Sequence, residues 1–301
     1  MPKSLVTGGA GFIGSNLVDE LINKGHNVIC IDNEFANNDY FFWNGKAKNI
    51  KGDILDDDLL KNNLKGIDYV FHCAAESKIG ASLEDPIETM RINALGTCKL
   101  LQYSKEFSIK RFIYSSTSSS YGFNPCPNKE SQADNCLNPY SLSKVAGEKL
   151  CKMYFDLYGL KTIVLRYFNV FGERSPSKGQ YCPVISTFLS QYKNGIPLTI
   201  VGDGNQKRDF IHVSDVVSAN IFSITENIKN SAFGEVYNIG FGENISINEI
   251  ANLISDKIIY IPSRKGEVKE NLADITKFKE TFNWKPNILL KNWIRDELKN
   301  L

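Results

Sequence analysis

Two residues four apart, Tyr140 and Lys144 in "NPYSLSK", carry the sharpest chemical signal in this chain. On a helix that spacing puts both side chains on one face. A free phenol, with a pKa of ~10, is a poor base at neutral pH, and a neighbouring ammonium favours the phenolate. The pair therefore suits moving a proton on and off a hydroxyl group. Ahead of it, Ser115 to Gly122 ("SSTSSSYG") gathers hydroxyls behind an apolar run, either as part of a site or as a flexible loop. A second set lies near the N-terminus, where Gly8, Gly11 and Gly14 are spaced Gly-x-x-Gly-x-x-Gly and Asp32 follows. Glycines opening a helix let a pyrophosphate approach the free amides of its first turn, here at Phe12 and Ile13. Asp32 is placed to accept hydrogen bonds from a ribose diol, which favours NAD over NADP because a 2'-phosphate would meet a carboxylate.

The elements that must position these groups are legible in the hydrophobic pattern. Lys3 to Thr7 is an apolar strand, Phe12 to Lys24 has helical periodicity, and a second strand closes on Asp32. The loop that follows holds the aromatic cluster Tyr40 to Trp43, read as packing locally. A strand near Asn49 to Lys51 ends at Gly52-Asp53-Ile54, where two readings stay open. Asp53 and Ile54 could bracket an adenine, or Asp53 could cap a helix over Asp56 to Leu64. "DYVFHC" is a buried strand followed by Ala74-Ala75, small enough for backbone to pass close to a cofactor, and Glu76 to Ala81 reads as a loop. Pro86 opens a helix to about Phe107, with Asn93 read as an exposed polar position within it. "RFIYSS" is the fifth strand, the Tyr140 helix runs to about Tyr158, and "LKTIVLRYFNVFG" is the sixth strand.

This alternation predicts an α/β fold, a doubly wound parallel Rossmann sheet over residues 1–172, with ligands at the carboxyl ends of its strands. From 173 to 301 the elements are shorter and predict a smaller C-terminal α/β substrate lobe, with some strand and helix exchange between the two. Within that lobe Arg208 beside Asp209, and Arg264, are either surface charge or a guanidinium clamp for a diphosphate.

Composition narrows the partners. Among 301 residues, 35 Lys and Arg balance 34 Asp and Glu for a net charge of +1, so nucleic acid and anionic membrane are not expected partners. The seven cysteines have no metal-ligand spacing, and several lie in apolar runs as free thiols do, which fits a reducing cytoplasm and no metal site. No apolar stretch approaches the ~20 residues of a membrane helix, and Met1-Pro2-Lys3 leads straight into the first strand, so a soluble, unprocessed protein is expected.

With these residues in view, the chain resembles the extended short-chain dehydrogenase/reductase family, and within it the nucleotide-sugar 4-epimerases. The resemblance rests on "VTGGAGFIG", "HCAA", "NPYSLSK", "RYFNVFG", "GDGNQKRDF" with "HVSDV", "YNIG" and the closing "ADITKFKETFNWKP". It implies Tyr140 as catalytic acid/base and Lys144 as the residue that tunes it and holds the nicotinamide ribose. It implies Thr117, four residues before Tyr121-Gly122, as the catalytic hydroxyl that also touches substrate. Gly8, Gly11, Phe12, Ile13, Gly14, Asp32, Asp53, Ile54, Ala74 and Ala75 would line the NAD site. Asn169, Arg208, Arg264 and Glu267 would hold the UDP half of the substrate, with Lys78 near the sugar but without an assigned role. Asn271, seven residues after Arg264, stands where a Tyr in relatives crowds out a 2-acetamido group, so it implies room for UDP-N-acetylglucosamine as well as UDP-glucose.

The resemblance also implies a homodimer through the helices near 86–107 and 140–158. Three competing functions are weighed against it. A 4,6-dehydratase needs carboxylates after the catalytic Thr, where Ser118 and Ser119 stand. A ketoreductase would consume added NADH, and a dinucleotide-binding sensor would have no use for Tyr140 and Lys144 together.

Overall fold

The computed structural model describes residues 1–35, 40–177, 182–263 and 268–301. In chain order β1 (Lys3–Thr7), α1 (Phe12–Asn23), β2 (Asn27–Asp32), β3 (Lys48–Lys51), α2 (Asp57–Leu64) and β4 (Tyr69–His72) come first. They are followed by α3 (Ile79–Glu84), α4 (Pro86–Met90), a π-helical turn at Arg91–Leu95, α5 (Gly96–Glu106), β5 (Arg111–Thr117) and a 3-10 turn at Ser118–Tyr121. Next are α6 (Pro139–Tyr158), β6 (Thr162–Tyr167), β7 (Asn169–Phe171), α7 (Val184–Lys193), β8 (Leu198–Val201), β9 (Lys207–His212) and α8 (Val213–Phe222). The chain closes with β10 (Glu235–Ile239), β11 (Asn244–Ser246), α9 (Ile247–Ile254), β12 (Ile258–Ile261), α10 (Thr276–Phe282) and α11 (Leu290–Asn300).

The large sheet has the order β10-β6-β5-β4-β1-β2-β3 and is parallel throughout. Its strands are apolar on both faces because helices cover both, which is why β1, β5 and β6 read as continuous buried runs. Between β1 and β4 the order reverses, opening a crevice at the carboxyl ends where a ligand belongs. Two apolar clusters fill the two faces, one around Leu17, Leu21, Phe71 and Tyr237 and the other around Leu5, Leu100, Phe112 and Val164. Trp43 packs against the first cluster and its Nε1 donates to Glu34, so that part of the aromatic cluster does pack locally.

A smaller lobe has its own core around Phe171, Phe188, Ile200 and Ile250. It holds a three-stranded sheet, β11-β9-β7, and a parallel pair, β12-β8. The sixth predicted strand is really two. After Tyr167 the Phe168 N–H bonds to the Ile239 carbonyl at 3.0 Å, and Asn169–Phe171 pairs with β9 in the small lobe. The chain beyond residue 172 also returns to the large sheet, supplying β10 as its edge strand and α8 against α1.

Candidate functional site

The glycine turn is shaped by close backbone contact. Gly8 has φ +66, and a Cβ there would lie 2.7 Å from the Ala74 amide nitrogen, while one on Gly14 would strike the Gly8 carbonyl oxygen. Gly11 caps α1 without a side chain, so the first helical amides, including those of Phe12 and Ile13, have no intrahelical acceptor and face the crevice. This cradle fits a pyrophosphate.

Asp32, at the end of β2, accepts the Ala10 N–H at 3.0 Å and the Glu34 N–H at 2.8 Å. Burial raises its pKa, and these amides oppose the rise. Asp53 accepts from Leu55 N–H at 2.9 Å and from Asn33 Nδ2 at 3.0 Å, while the helix cap is Asp56, whose side chain takes the Leu59 N–H. Of the two roles left open for Asp53, the capping one thus belongs to Asp56. Gly8, Gly11, Phe12, Ile13, Gly14, Asp32, Asp53, Ile54, Ala74 and Ala75 all line one cleft of about 380 Å3.

Tyr140 and Lys144 line the same cleft, with Ser115, Ser116 and Lys78. They sit on the first turns of α6 because Asn138 caps that helix, accepting the Ser141 N–H at 2.8 Å, and Pro139 starts it. Burial pushes the Tyr140 phenol above its ordinary value, a hydrogen bond with Thr117 lowers it, and the Glu76 carboxylate raises it. Thr117 is itself fixed at the end of β5, where its Oγ1 accepts the Ser119 N–H at 3.1 Å.

Lys144 shares the cleft wall with Tyr140 and also has a ring neighbour. Its Nζ lies 4.3 Å from the centre of the Tyr114 ring, and burial lowers its pKa to about 8 against the opposing pull of Cys73, Cys151 and Glu148. Thr117 is the neighbour that opposes the rise of the Tyr140 phenol, and its Oγ1 also lies 3.1 Å from Ser119 Oγ, to which it donates. The i,i+4 relation gives the shared face, and the buried ammonium also lies against the Tyr114 ring.

A second cavity, of about 400 Å3, adjoins the first, with Val170 and Pro183 in both walls. Asn169 and Arg208 line it. Asn169 Nδ2 donates to the Asp209 carbonyl at 2.8 Å and to Asn271 Oδ1 at 3.3 Å, and Asn271 Oδ1 also takes the Asp209 N–H at 2.9 Å. Asn271 thus braces Asn169, which lines the second cavity. Arg264 and Glu267 lie outside the described residues.

Three positions gain roles that the sequence reading had not given them. Asn93, expected to be exposed, is buried inside the π-helical turn, and its side chain accepts the Glu76 N–H and donates to the Glu76 carbonyl, at 2.8 and 2.9 Å. A π turn has no sequence signature of its own, and Asn93 was one of several polar residues in that stretch. Asp209, buried beside Arg208, accepts N–H groups of Phe241, Gly242 and Ala273 at 2.7 to 3.0 Å, and burial raises its pKa to about 6. Ser116 donates to Glu148, which pairs with Arg166. Among the described residues no group of His, Cys, Asp and Glu could hold a metal ion, and no helix is long and apolar enough to cross a membrane.

Known proteins share this arrangement over nearly the whole chain. The profile described as the NAD dependent epimerase/dehydratase family matches residues 4–240. A putative UDP-glucose 4-epimerase of Methanocaldococcus jannaschii is 42% identical over 97% of this chain and 95% of its own. A UDP-N-acetyl-alpha-D-glucosaminuronate decarboxylase of Bacillus cytotoxicus is 33% identical over 99% and 97%. The structure of the UDP-N-acetylglucosamine 4-epimerase of Methanobrevibacter ruminantium, in complex with UDP-N-acetylmuramic acid, superposes with a TM-score of 0.91 at 36% identity, covering 99% of this chain and 97% of that one.

Proposed function

Because this chain belongs to the NAD dependent epimerase/dehydratase family and takes NAD as its cofactor, we propose that it is a UDP-sugar 4-epimerase. It inverts C4 of UDP-glucose and UDP-galactose and of their N-acetyl counterparts. The observation that carries this reading is the joining of two cavities, one holding the glycine turn together with Tyr140 and Lys144, the other holding Asn169 and Arg208. A reacting sugar bridging them has its C4 hydroxyl at the phenol and its nucleotide in the small lobe.

In this reading Tyr140, as phenolate, removes the proton of the C4 hydroxyl, and Thr117 bridges the two oxygens by a hydrogen bond that favours the charged phenol. Gly8, Gly11, Gly14 and Asp32 would hold NAD, which would supply a reversible acceptor for the C4 hydride. Lys144 presents its charge in the same wall and holds the ribose beside Tyr140. Asn169, Arg208, Arg264 and Glu267 grip the nucleotide, so that the 4-keto sugar can turn its other face before Tyr140 returns the proton. Elimination of water across C5 and C6 is disfavoured because Ser118 and Ser119 follow Thr117 where an acid and a base would be required.

The exposed apolar residues of α4 to α6, notably Ile87 at 81% and Leu157 at 66%, support a homodimer in which these helices meet those of a second copy. Light scattering that returned only 33.8 kDa at micromolar concentration would refute this. Free cysteines suit a cytoplasmic enzyme.

The deciding experiment incubates the purified protein, without added NAD, with each of UDP-glucose, UDP-galactose, UDP-N-acetylglucosamine and UDP-glucuronate, and reads products by NMR. Interconversion at C4 supports the proposal. Release of carbon dioxide from the uronate, a 4-keto-6-deoxy sugar, or no change with any substrate would replace it with decarboxylase, dehydratase or sensor.

A further inference from the structure

His72, at the end of β4, is fully buried and plays no part in the proton chemistry above. Its ring is held at both nitrogens, with Thr7 Oγ1 2.7 Å from Nδ1 and Thr97 Oγ1 2.9 Å from Nε2. The direction of each bond follows from its neighbours. Thr97 gives its one hydroxyl proton to the Asn93 carbonyl, at 2.6 Å, so it can only accept from the imidazole, and Nε2 carries the hydrogen. On a neutral ring Nδ1 is then an acceptor. Thr7 donates to it, and the Thr7 oxygen in turn accepts the Ala74 N–H at 3.3 Å.

The result is a directed chain from the Ala74 amide through Thr7, His72 and Thr97 to the Asn93 carbonyl. Asn93 extends it. Its side chain clamps the Glu76 backbone and donates to Ser143 Oγ at 2.9 Å, and Ser143 donates to the Tyr140 carbonyl at 2.7 Å. Thr7, His72, Asn93, Thr97 and Ser143 are all buried, so no water competes for these bonds. The π-helical turn, closed by Gly96 N–H to the Arg91 carbonyl, is the segment through which Asn93 and Thr97 reach inward. An imidazolium would leave the Thr7 proton without an acceptor. Around the ring stand Phe112, Tyr114 and the Lys144 cation, and burial together with that cation holds the His72 pKa well below its ordinary value.

We infer that His72 and Thr97 are positioning residues: a neutral imidazole fixed as its Nε2–H tautomer ties the Gly8 turn and the Ala74 to Ser77 loop, two walls of the NAD cleft, to the helix that carries Tyr140. The inference rests on the NAD site and only in part on the epimerase reading. Its consequence is retention of NAD between turnovers, which a cofactor regenerated on every cycle requires.

The test uses the protein as purified, with the NAD it carries. Thr97→Val is nearly isosteric and removes the acceptor for His72, whereas Thr97→Ser restores it. Nitrogen-15 NMR at neutral pH reads the tautomer, with the His72 signals separated from those of His26 and His212 by their loss in His72→Gln. The wild type should show the Nε2–H tautomer. Thr97→Val should release NAD about tenfold faster and lower kcat about tenfold, with KM for the UDP-sugar within about twofold, and Thr97→Ser should return both to near wild type. Should Thr97→Val not fold, Thr97→Ala takes its place with the same readouts. An Nδ1–H tautomer or an imidazolium overturns the inference, as does a valine variant that keeps NAD and kcat. If the wild type turns over no UDP-sugar, the epimerase reading fails, while tautomer and NAD release still decide this one.

Discussion

Arg166 and Glu148 meet as a fork, Nε to Oε1 at 2.8 Å and Nη2 to Oε2 at 2.5 Å, both side chains almost wholly buried. The pair joins β6 to α6, and Ser116 of β5 donates to the same carboxylate one residue before Thr117. Burial alone would lower the Arg166 pKa, and Glu148 reverses this by hydrogen bond and charge. Arg166 Nη2 also reaches Asp134 Oδ1 at 2.6 Å, so removing Glu148 leaves the buried guanidinium only partly compensated. Glu148→Gln is therefore expected to destabilise the fold by less than the ~3–5 kcal/mol of a fully unpaired buried charge, and a joint replacement of Glu148 by Gln and Arg166 by Met by less still, as measured by urea unfolding. A smaller loss from Glu148→Gln than from the double variant would contradict the argument.

Thr117 acting on the Tyr140 phenol makes a prediction about the pH profile. It is the contact that lowers the phenol's pKa, so its loss in Thr117→Val moves the rising limb of kcat to higher pH, and Thr117→Ser restores the wild-type limb. Tyr140→Phe should keep bound NAD and lose ~10²–10⁴-fold in kcat. Profiles of the two Thr117 variants that coincide with one another would exclude Thr117 as the tuning group.

Lys144 gives a prediction about stability. Its pKa falls from 10.5 in an unfolded chain to about 8 in the fold, with burial the main cause. Below pH 8 both states carry the proton and the fold bears the full cost of the buried cation. From 8 to 10.5 the folded state releases the proton first, so the cost disappears as pH rises. Freed of NAD, Lys144→Met should be more stable than wild type at pH 7, on the order of 3 kcal/mol, and the advantage should shrink toward pH 10.5. Urea midpoints whose difference does not change with pH would show that the lysine is not the source.

Asn271 calls for a control, because it braces Asn169, which lines the second cavity. Asn271→Val loses those bonds without added bulk, and Asn271→Tyr loses them and fills space. Both variants should turn over UDP-glucose several-fold more slowly, while the tyrosine variant alone should lose the N-acetyl substrate by a further tenfold or more, about the effect of a steric exclusion. Equal losses of the two substrates in Asn271→Tyr would remove it as the gate.

The sequence alone determined whatever depends on near neighbours in the chain. The helix opened by Gly11, the acid that ends β2, the Asn138 cap and the shared face of Tyr140 and Lys144 all follow from spacings of a few residues, where backbone sterics and the helical repeat leave little choice. The alternation of apolar strands with amphipathic helices then dictated a parallel sheet and put the ligand at its carboxyl ends. Tertiary structure decided what the same side chains touch. Lys144 came to lie against Tyr114, Asn93 went inside through a π turn, and His72 acquired partners from β1 and α5. Phe168 bonded to β10, which let Asn169 cross into the small lobe beside Asn271, more than a hundred residues away in the chain. Those contacts are set by close packing and by the need to satisfy every buried polar group, and both depend on segments that meet only once the chain has folded.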